Sequence, residues 1–167
     1  LAVSSVRLAQ KKVLLHDMKC IETLARVDVL CVDKTGTITE NTMKVQGVIE
    51  TDEYNPDTME PLRTIIGDFA AAMTKDNITM AAMKEYFTKG SGKKAVSKTG
   101  FSSATKYSSV TFEDGAYVLG APEFVLKEKY GDYAEEITEH ASTGARVLVF
   151  GSYDGEVDGK PLEHGIT

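Results

Sequence analysis

No apolar run in the sequence approaches the ~18 residues that a membrane-spanning helix needs. The opening LAVSSVRLAQKKVLLHD has the wrong order of charged and apolar residues for a signal peptide. As given, the chain therefore reads as soluble. Cysteine is scarce: Cys20 and Cys31 stand alone, without CxxC or Cys/His ligand spacing, which argues against zinc and a disulfide and predicts free, buried thiols in a reducing compartment. A basic stripe is also missing. The net charge is −6 and the pI near 5.1, with acidic and basic residues interspersed, which argues against a nucleic-acid surface. His16, His140 and His164 lack metal-ligand spacing and read as surface or packing residues. What is present, 167 residues with 42% hydrophobic content, is a globular composition with room for one ordinary domain or two small ones. The start without Met, and a last residue Thr167 just past the hairpin-like DGEVDGKP, suggest a piece of something longer.

Hydrophobic periodicity divides the chain. Residues 1–15 mix Leu1, Val6, Leu8, Val13 and Leu15 with Arg7, Lys11 and Lys12, a basic helix pattern, and a short helix is expected around Glu22-Thr23-Leu24. Val27 to Val32 is apolar and β-branched, as in a parallel strand buried on both faces. Met43 to Thr51 alternates as a strand should, and a domain boundary is placed near Val45, giving regions 1–45 and 46–167. Helical patterns follow at about Asp57 to Met73 and Thr79 to Phe87, with Met73, Met80 and Met83 at core spacing. Lys89-Gly-Ser-Gly-Lys-Lys94 resembles a phosphate loop but fails the GxxxxGK[ST] pattern at Phe87 and Lys94, and is expected to be a flexible basic loop. A hairpin is predicted from Lys106 to Phe112 and Ala116 to Leu119 around Glu113-Asp114-Gly115. Helices are expected over 121–130 and 132–142, ending at Gly144, and a last strand over Arg146 to Tyr153. The fold class is thus α/β at the start, with one strand and loop, joined to an α+β region whose sheet is mainly antiparallel.

The stretch CVDKTGTITEN at 31–41 carries the chemistry. An aspartate at the C-terminal edge of a strand lies where open α/β sheets bind ligands, and Lys34 to Thr39 offers amides, hydroxyls and one ammonium. A carboxylate attacks phosphate only when positive charge neutralises both sides, so Asp33 as nucleophile calls for Mg²⁺ shared with the phosphoryl oxygens. Haloacid-dehalogenase-type phosphatases carry DxDxT, where the second Asp is the general acid and base; here Thr35 stands in its place. An aspartyl phosphate formed on Asp33 should therefore persist, which suits a protein that couples phosphorylation to a conformational cycle. A bare DxTG would more often be a simple turn. The full DKTGTIT arises by chance in a chain this long about once in ten million.

DKTGTIT at Asp33 to Thr39 resembles the phosphorylation motif of the P-type ATPases, ion pumps that form an aspartyl phosphate in each cycle. Cys20-Ile-Glu-Thr-Leu24 resembles the family's ETL helix, and Phe101-Ser-Ser-Ala-Thr-Lys-Tyr-Ser-Ser-Val110 its FSSxRKxMSV stretch. Gly120-Ala-Pro-Glu123 resembles its KGAPE, and Gly144-Ala-Arg-Val-Leu148 its GxRVL. The resemblance implies that 1–45 is an incomplete haloacid-dehalogenase-like phosphorylation domain with a preceding stalk, and 46–167 the nucleotide-binding domain. It implies ATP and Mg²⁺, with Asp33, Lys34, Thr35 and Thr37 at the phosphoryl group and Asp33 and Thr35 near the metal. Phe101 would stack on adenine, Lys106 would lie near base and phosphates, Gly120 and Ala121 would belong to the pocket, and Arg146 would approach the phosphates. Two positions depart from the pattern: Leu119 replaces the Lys before GAPE, and Met80 falls where many members have Glu against adenine, so a weaker and more apolar nucleotide site is expected.

The same resemblance places the family's TGD segment, phosphate-binding Lys and GDGxND magnesium Asp after Thr167. The partners implied are ATP and the rest of a parent chain, comprising the remaining phosphorylation domain, an actuator domain and membrane helices. The expected setting is the cytoplasmic side of an integral membrane pump, in a bacterial plasma membrane, with calcium mildly favoured as the ion by resemblance only. Two other readings are a stand-alone phosphotransferase or phosphatase of the haloacid-dehalogenase type, which Thr35 weighs against, and a nucleotide-binding module without turnover.

Overall fold

The computed structural model describes residues 2–17, 19–34, 37–40, 42–57 and 59–167. The chain forms two compact units, Leu1–Asn41 and Thr42–Thr167, each described here by itself.

The first unit carries helices α1 (Ala2–Gln10) and α2 (Lys19–Leu24). Asp17 starts α2 by accepting the Lys19 amide on Oδ1 at 3.0 Å. Glu22 and Arg26, one turn apart, pair at 2.7 Å. Both are exposed, so the pair contributes only about 0.3–0.5 kcal/mol. Val27 to Val32 does not form the expected buried strand: its backbone is irregular, and Val29 and Leu30 are 75% and 73% exposed. A parallel strand needs neighbours on its edges and cover on its faces. No other strand is present among the described residues of this unit. The same lack of cover corrects the expectation for the cysteines, since Cys20 and Cys31 are free but exposed. Among the described residues no helix is long and apolar enough to cross a membrane.

The second unit is built on one antiparallel sheet, in the order β1 (Ser97–Thr99), β2 (Tyr107–Phe112), β3 (Gly115–Gly120), β4 (Val149–Tyr153). β2 and β3 form the predicted hairpin, with Phe112 opposite Gly115 and only Glu113-Asp114 in the loop. Helices α3 (Leu62–Ala72) and α4 (Ile78–Tyr86) lie on one face, α5 (Pro122–Val125) and α6 (Tyr130–Ser142) on the other. The alternation of the strands explains both cores. Val110, Phe112, Leu119 and Phe150 pack with Phe69, Met73, Met80 and Met83, whereas Tyr107, Val118 and Tyr153 pack with Val125, Leu126 and Ile166. Phe69 has no exposed surface and meets Phe150 edge to face at 5.3 Å. Burying such a ring stabilises the unit by about 1.5–3 kcal/mol.

Several boundaries shift for identifiable reasons. α3 begins only at Leu62 because Pro61 stands at its N-cap, and a proline disfavours helical backbone in the residue before it. α4 is started by Asn77, whose Oδ1 accepts the Met80 amide at 2.8 Å. The segment 42–50 forms no strand, yet Val45 and Val48 lie against the first core. The helix expected over 121–130 is split into α5 and a 3₁₀ turn at Lys127–Lys129, where Lys127 takes φ +53°. α6 ends as expected at Gly144, whose φ of +84° turns the chain while its amide reaches the Ala141 carbonyl at 3.0 Å.

The Lys89–Lys94 loop is tied down, contrary to the expectation of flexibility. Asp68, on α3 and only 3% exposed, accepts the Ser91 amide at 3.1 Å, the Ser91 hydroxyl at 2.6 Å and the Gly92 amide at 2.9 Å. The loop's amides thus already hold an anion, the protein's own carboxylate. Burial works to raise the Asp68 pKa, but these hydrogen bonds, with one from the Lys93 amide, together outweigh it and hold it below the usual carboxylate value. Lys93 continues the anchor by bridging Glu60 at 2.8 Å and Asp114 at 2.6 Å, which raises its own pKa.

Because the folded carboxyl is depressed, its stabilisation is present above its unfolded pKa of about 4 and fades as pH falls through the folded value. Asp68→Ala is expected to lower the unfolding free energy by about 2 kcal/mol at neutral pH. The measurement is the urea midpoint at unchanged slope, and its difference from wild type should narrow below pH ~4.

Candidate functional site

The antiparallel registers bring the predicted nucleotide residues to one end of the sheet. Thr99 pairs with Ser109, so the chain leaving β1 toward Phe101 runs to the end where β2 begins, just after Lys106. Tyr107 pairs with Gly120, and Gly120 in turn with Val149. Lys106, Gly120-Ala121 and the segment entering β4 from Arg146 therefore share that end.

A close backbone approach fixes its centre. The Lys106 carbonyl accepts the Ala121 amide at 2.9 Å, and the Lys106 amide donates to Ser102 at 2.7 Å. Lys106 takes φ +59°, a left-handed conformation that costs a residue with a Cβ about 1–3 kcal/mol and is kept only where its surroundings enforce it. Opposite, a Cβ on Gly120 would stand 2.7 Å from the Lys106 carbonyl oxygen, the Tyr107 Cβ and the Val125 Cγ1. Only glycine fits there.

Phe101 is 53% exposed, so its ring offers a free face, and Lys106, five residues further on, is half-buried. Arg146 is exposed and donates from Nη1 to Thr79 Oγ1 at 3.0 Å, which ties the GARVL segment to the start of α4. The Thr79 hydroxyl also points to Met43 Sδ at 3.5 Å. Thr79 was not singled out from the sequence. Its position two residues after the Asn77 cap, on the first turn of α4, was the available signal.

Met80 and Leu119, expected to make the site more apolar, are 4% and 5% exposed and belong to the core under it. The Asn77 cap sets the phase of α4 so that Met80 and Met83 face the sheet, and the pleat turns Leu119 the same way. Two clefts on this unit, of about 410 and 320 Å³, are lined by Lys93, Lys94, Phe112, Glu113 and Asp114, and by Ser97, Thr111 and residues 155–158. Neither includes a predicted nucleotide residue.

In the first unit the Asp33 carboxylate is exposed and accepts the Lys34 amide on Oδ1 at 2.8 Å. The Lys34 carbonyl closes the loop, receiving the Ile38 amide at 3.1 Å and the Thr39 amide and hydroxyl at 3.2 Å. Thr37 is exposed; Thr35, expected near phosphate and metal, lies outside the described residues. Asp33 is an accessible hard oxygen donor, of the kind that binds Mg²⁺ through one or two carboxylates with water and phosphate.

Comparison with known proteins gives the class: the chain is homologous to a segment of the P-type cation-transporting ATPases. It is 38% identical over 158 residues to the calcium-transporting ATPase CtpE of Mycolicibacterium smegmatis, covering 94% of this chain and 19% of that protein. It is 35% identical over 160 residues to a probable cation-transporting ATPase, exp7, of Streptococcus pneumoniae, covering 95% of this chain and 20% of the relative. Plasma membrane ATPase 2 of Saccharomyces cerevisiae is 28% identical over 180 residues, with 93% of this chain and 19% of that protein covered. The chain thus spans about a fifth of the length of the curated relatives it matches. No family model matches it.

Gly120→Ala is expected to cost about 1–3 kcal/mol of stability, because backbone and packed side chains, not a flexible tip, occupy the space. Chemical denaturation measures this, and the Lys106 amide should show the largest chemical-shift change.

Proposed function

We propose that the second unit binds ATP at the sheet end formed by Phe101, Lys106, Gly120-Ala121 and Arg146, and that Asp33 is the phosphoryl acceptor of the parent pump. The observation that carries this reading is the meeting of three separate motifs at one sheet end, in a chain that is homologous to ATPases along 94% of its length. Phe101 stacks on the base, which needs an exposed ring and no particular hydrogen-bond pattern. Lys106 and Arg146 supply the positive charge that a polyphosphate requires, Arg146 held in place by Thr79. With no side chain at Gly120, the Lys106 and Ala121 backbones close on each other, which fixes where Lys106 and Ala121 stand at that end.

In the parent protein an oxygen of Asp33 forms a bond to the γ-phosphorus of ATP, the bond from that phosphorus to the bridging oxygen breaks, and ADP leaves with the electron pair. Lys34 and the hydroxyls of Thr35 and Thr37 hold the phosphoryl oxygens through the transfer. Asp33 and Thr35 would hold Mg²⁺, which would supply charge neutralisation for the attack of a carboxylate on a phosphate. With Thr35 in place of a second aspartate, the loop has no carboxylate of its own to activate water, and the acyl phosphate survives long enough to drive a conformational change. The parent is a membrane cation pump; the bacterial source of the relatives at 35–39% identity supports a bacterial membrane as its setting, and three of those relatives carry calcium in their names. The remaining phosphorylation domain, an actuator domain and membrane helices of that parent are the partners of this segment.

Titration of the 167-residue chain with ATP and Mg²⁺, followed by amide NMR, is expected to shift residues around Phe101, Lys106, Gly120 and Arg146, and Phe101→Ala to weaken binding by about tenfold. Binding without those shifts would remove the site. In the full-length parent, Asp33→Asn is expected to abolish the acid-stable phosphoenzyme formed from labelled ATP while leaving nucleotide binding intact. Retention of the label would make another residue the acceptor.

A further inference from the structure

His164, expected to be an ordinary surface or packing residue, is held between two backbone carbonyls. Its Nδ1 lies 3.0 Å from the Gly165 oxygen and its Nε2 3.0 Å from the Asp154 oxygen. A neutral imidazole has one N–H and one lone pair, so it can satisfy only one of these acceptors and must turn its lone pair toward the other. Both contacts are hydrogen bonds only when both nitrogens carry protons.

The ring also stacks on Tyr153, at the end of β4, with centroids 4.6 Å apart. The Tyr153 hydroxyl accepts the Glu163 amide at 3.0 Å. Beyond His164 the chain is fastened to the sheet and to α5: the Gly165 amide donates to Glu128 Oε1 at 3.0 Å, and the Ile166 amide to the Val125 carbonyl at 3.0 Å. Ser152 and Thr167 exchange two backbone bonds of 2.6 and 2.9 Å, and Ile166 is 2% exposed in the second core. The charged and titratable groups facing the ring are Glu128 from the turn after α5, and Asp154 and Tyr153 from the end of β4. Lys129 stands beside Glu128 as the nearby cation. Carboxylates outnumber cations there.

We propose that His164 is a proton-operated latch: as imidazolium it ties the Asp154 turn to the segment 165–167, and on deprotonation it loosens that segment from β4 and α5. The hydrogen bonds to the Gly165 and Asp154 carbonyls, against desolvation and helped by Glu128 and Asp154, raise its pKa above the ordinary histidine value. A raised folded pKa means that the latch is complete below the unfolded value, ~6.5, and is lost as pH rises through the folded one. The latch thus opens on the alkaline side, and opening uncovers Ile166 and the edge of β4.

The test is NMR on the 167-residue chain. Long-range proton–nitrogen correlation is expected to show both His164 nitrogens protonated at pH ~6 and one at pH ~9. Amide protection of Ile166 and Thr167, corrected for intrinsic exchange, should fall several-fold across that range. His164→Phe, which keeps the stack on Tyr153 but cannot donate, should show low protection at both pH values. A single protonated nitrogen at pH ~6, or an equal pH-dependent loss of protection in His164→Phe, would overturn the latch. Because the nitrogen measurement uses wild type alone, it decides the question even where the variant does not fold.

Discussion

Where β2 begins and β3 ends, the carbonyl of Lys106 accepts the amide of Ala121 across a gap that leaves no space for a side chain at Gly120. Much of the second unit can be understood from this approach. It holds Lys106 in a left-handed conformation, sets the point at which the chain leaves β3 for α5, and joins the Phe101 segment to the one that carries Gly120-Ala121-Pro122. The approach is in turn maintained by cores on both faces of the sheet. α3 and α4 fill one face around Phe69 and Val110, while Val125, Leu126 and Ile166 fill the other around Tyr107 and Val118. The site proposed at the sheet end would gain its rigidity from these two packed layers.

The two units use their residues differently. In the second, the residues proposed for recognition are gathered by tertiary structure: Arg146 is placed by Thr79, and Phe101 comes to that sheet end because β1 runs antiparallel to β2. In the first, the chemistry is carried by consecutive residues, with Asp33 accepting the Lys34 amide and Lys34 closing the loop over Ile38 and Thr39. On the proposed reading, a nucleophile in a short contiguous loop and a nucleotide site spread over a sheet are complementary parts of one phosphoryl-transfer machine.

Legibility in the sequence followed the physical range of each signal. The hairpin was readable because alternation and Asp114-Gly115 are local, and α4 because Asn77 precedes a helical Met pattern. The antiparallel sheet with flanking helices was expected and is present. β1 escaped notice because Ser97-Lys98-Thr99 has no apolar residue and is a strand only by pairing with β2. Val27 to Val32 was assigned as a strand because an apolar run signals burial, but a run cannot reveal whether partners exist to bury it. Asp68 was not singled out, because its role beneath the Lys89–Lys94 loop depends on a contact 23 residues away. Motif position put Met80 and Leu119 near the pocket, but the helical spacing that marked Met80 as core is the signal that holds, and the strand pleat turns Leu119 into the same core. The candidate site residues were found through motif spacing; the supports, Thr79 and the Lys106 conformation, required the fold.

A crystal structure of the chain with Mg²⁺ and a non-hydrolysable ATP analogue tests whether the sheet end is the nucleotide site. The account requires the base against the exposed ring of Phe101, with Lys106 and Arg146 directed to the phosphates and the Lys89–Lys94 loop still closed on Asp68. Phosphates bound instead at the amides of that loop, with Asp68 displaced and Phe101 free, would contradict it.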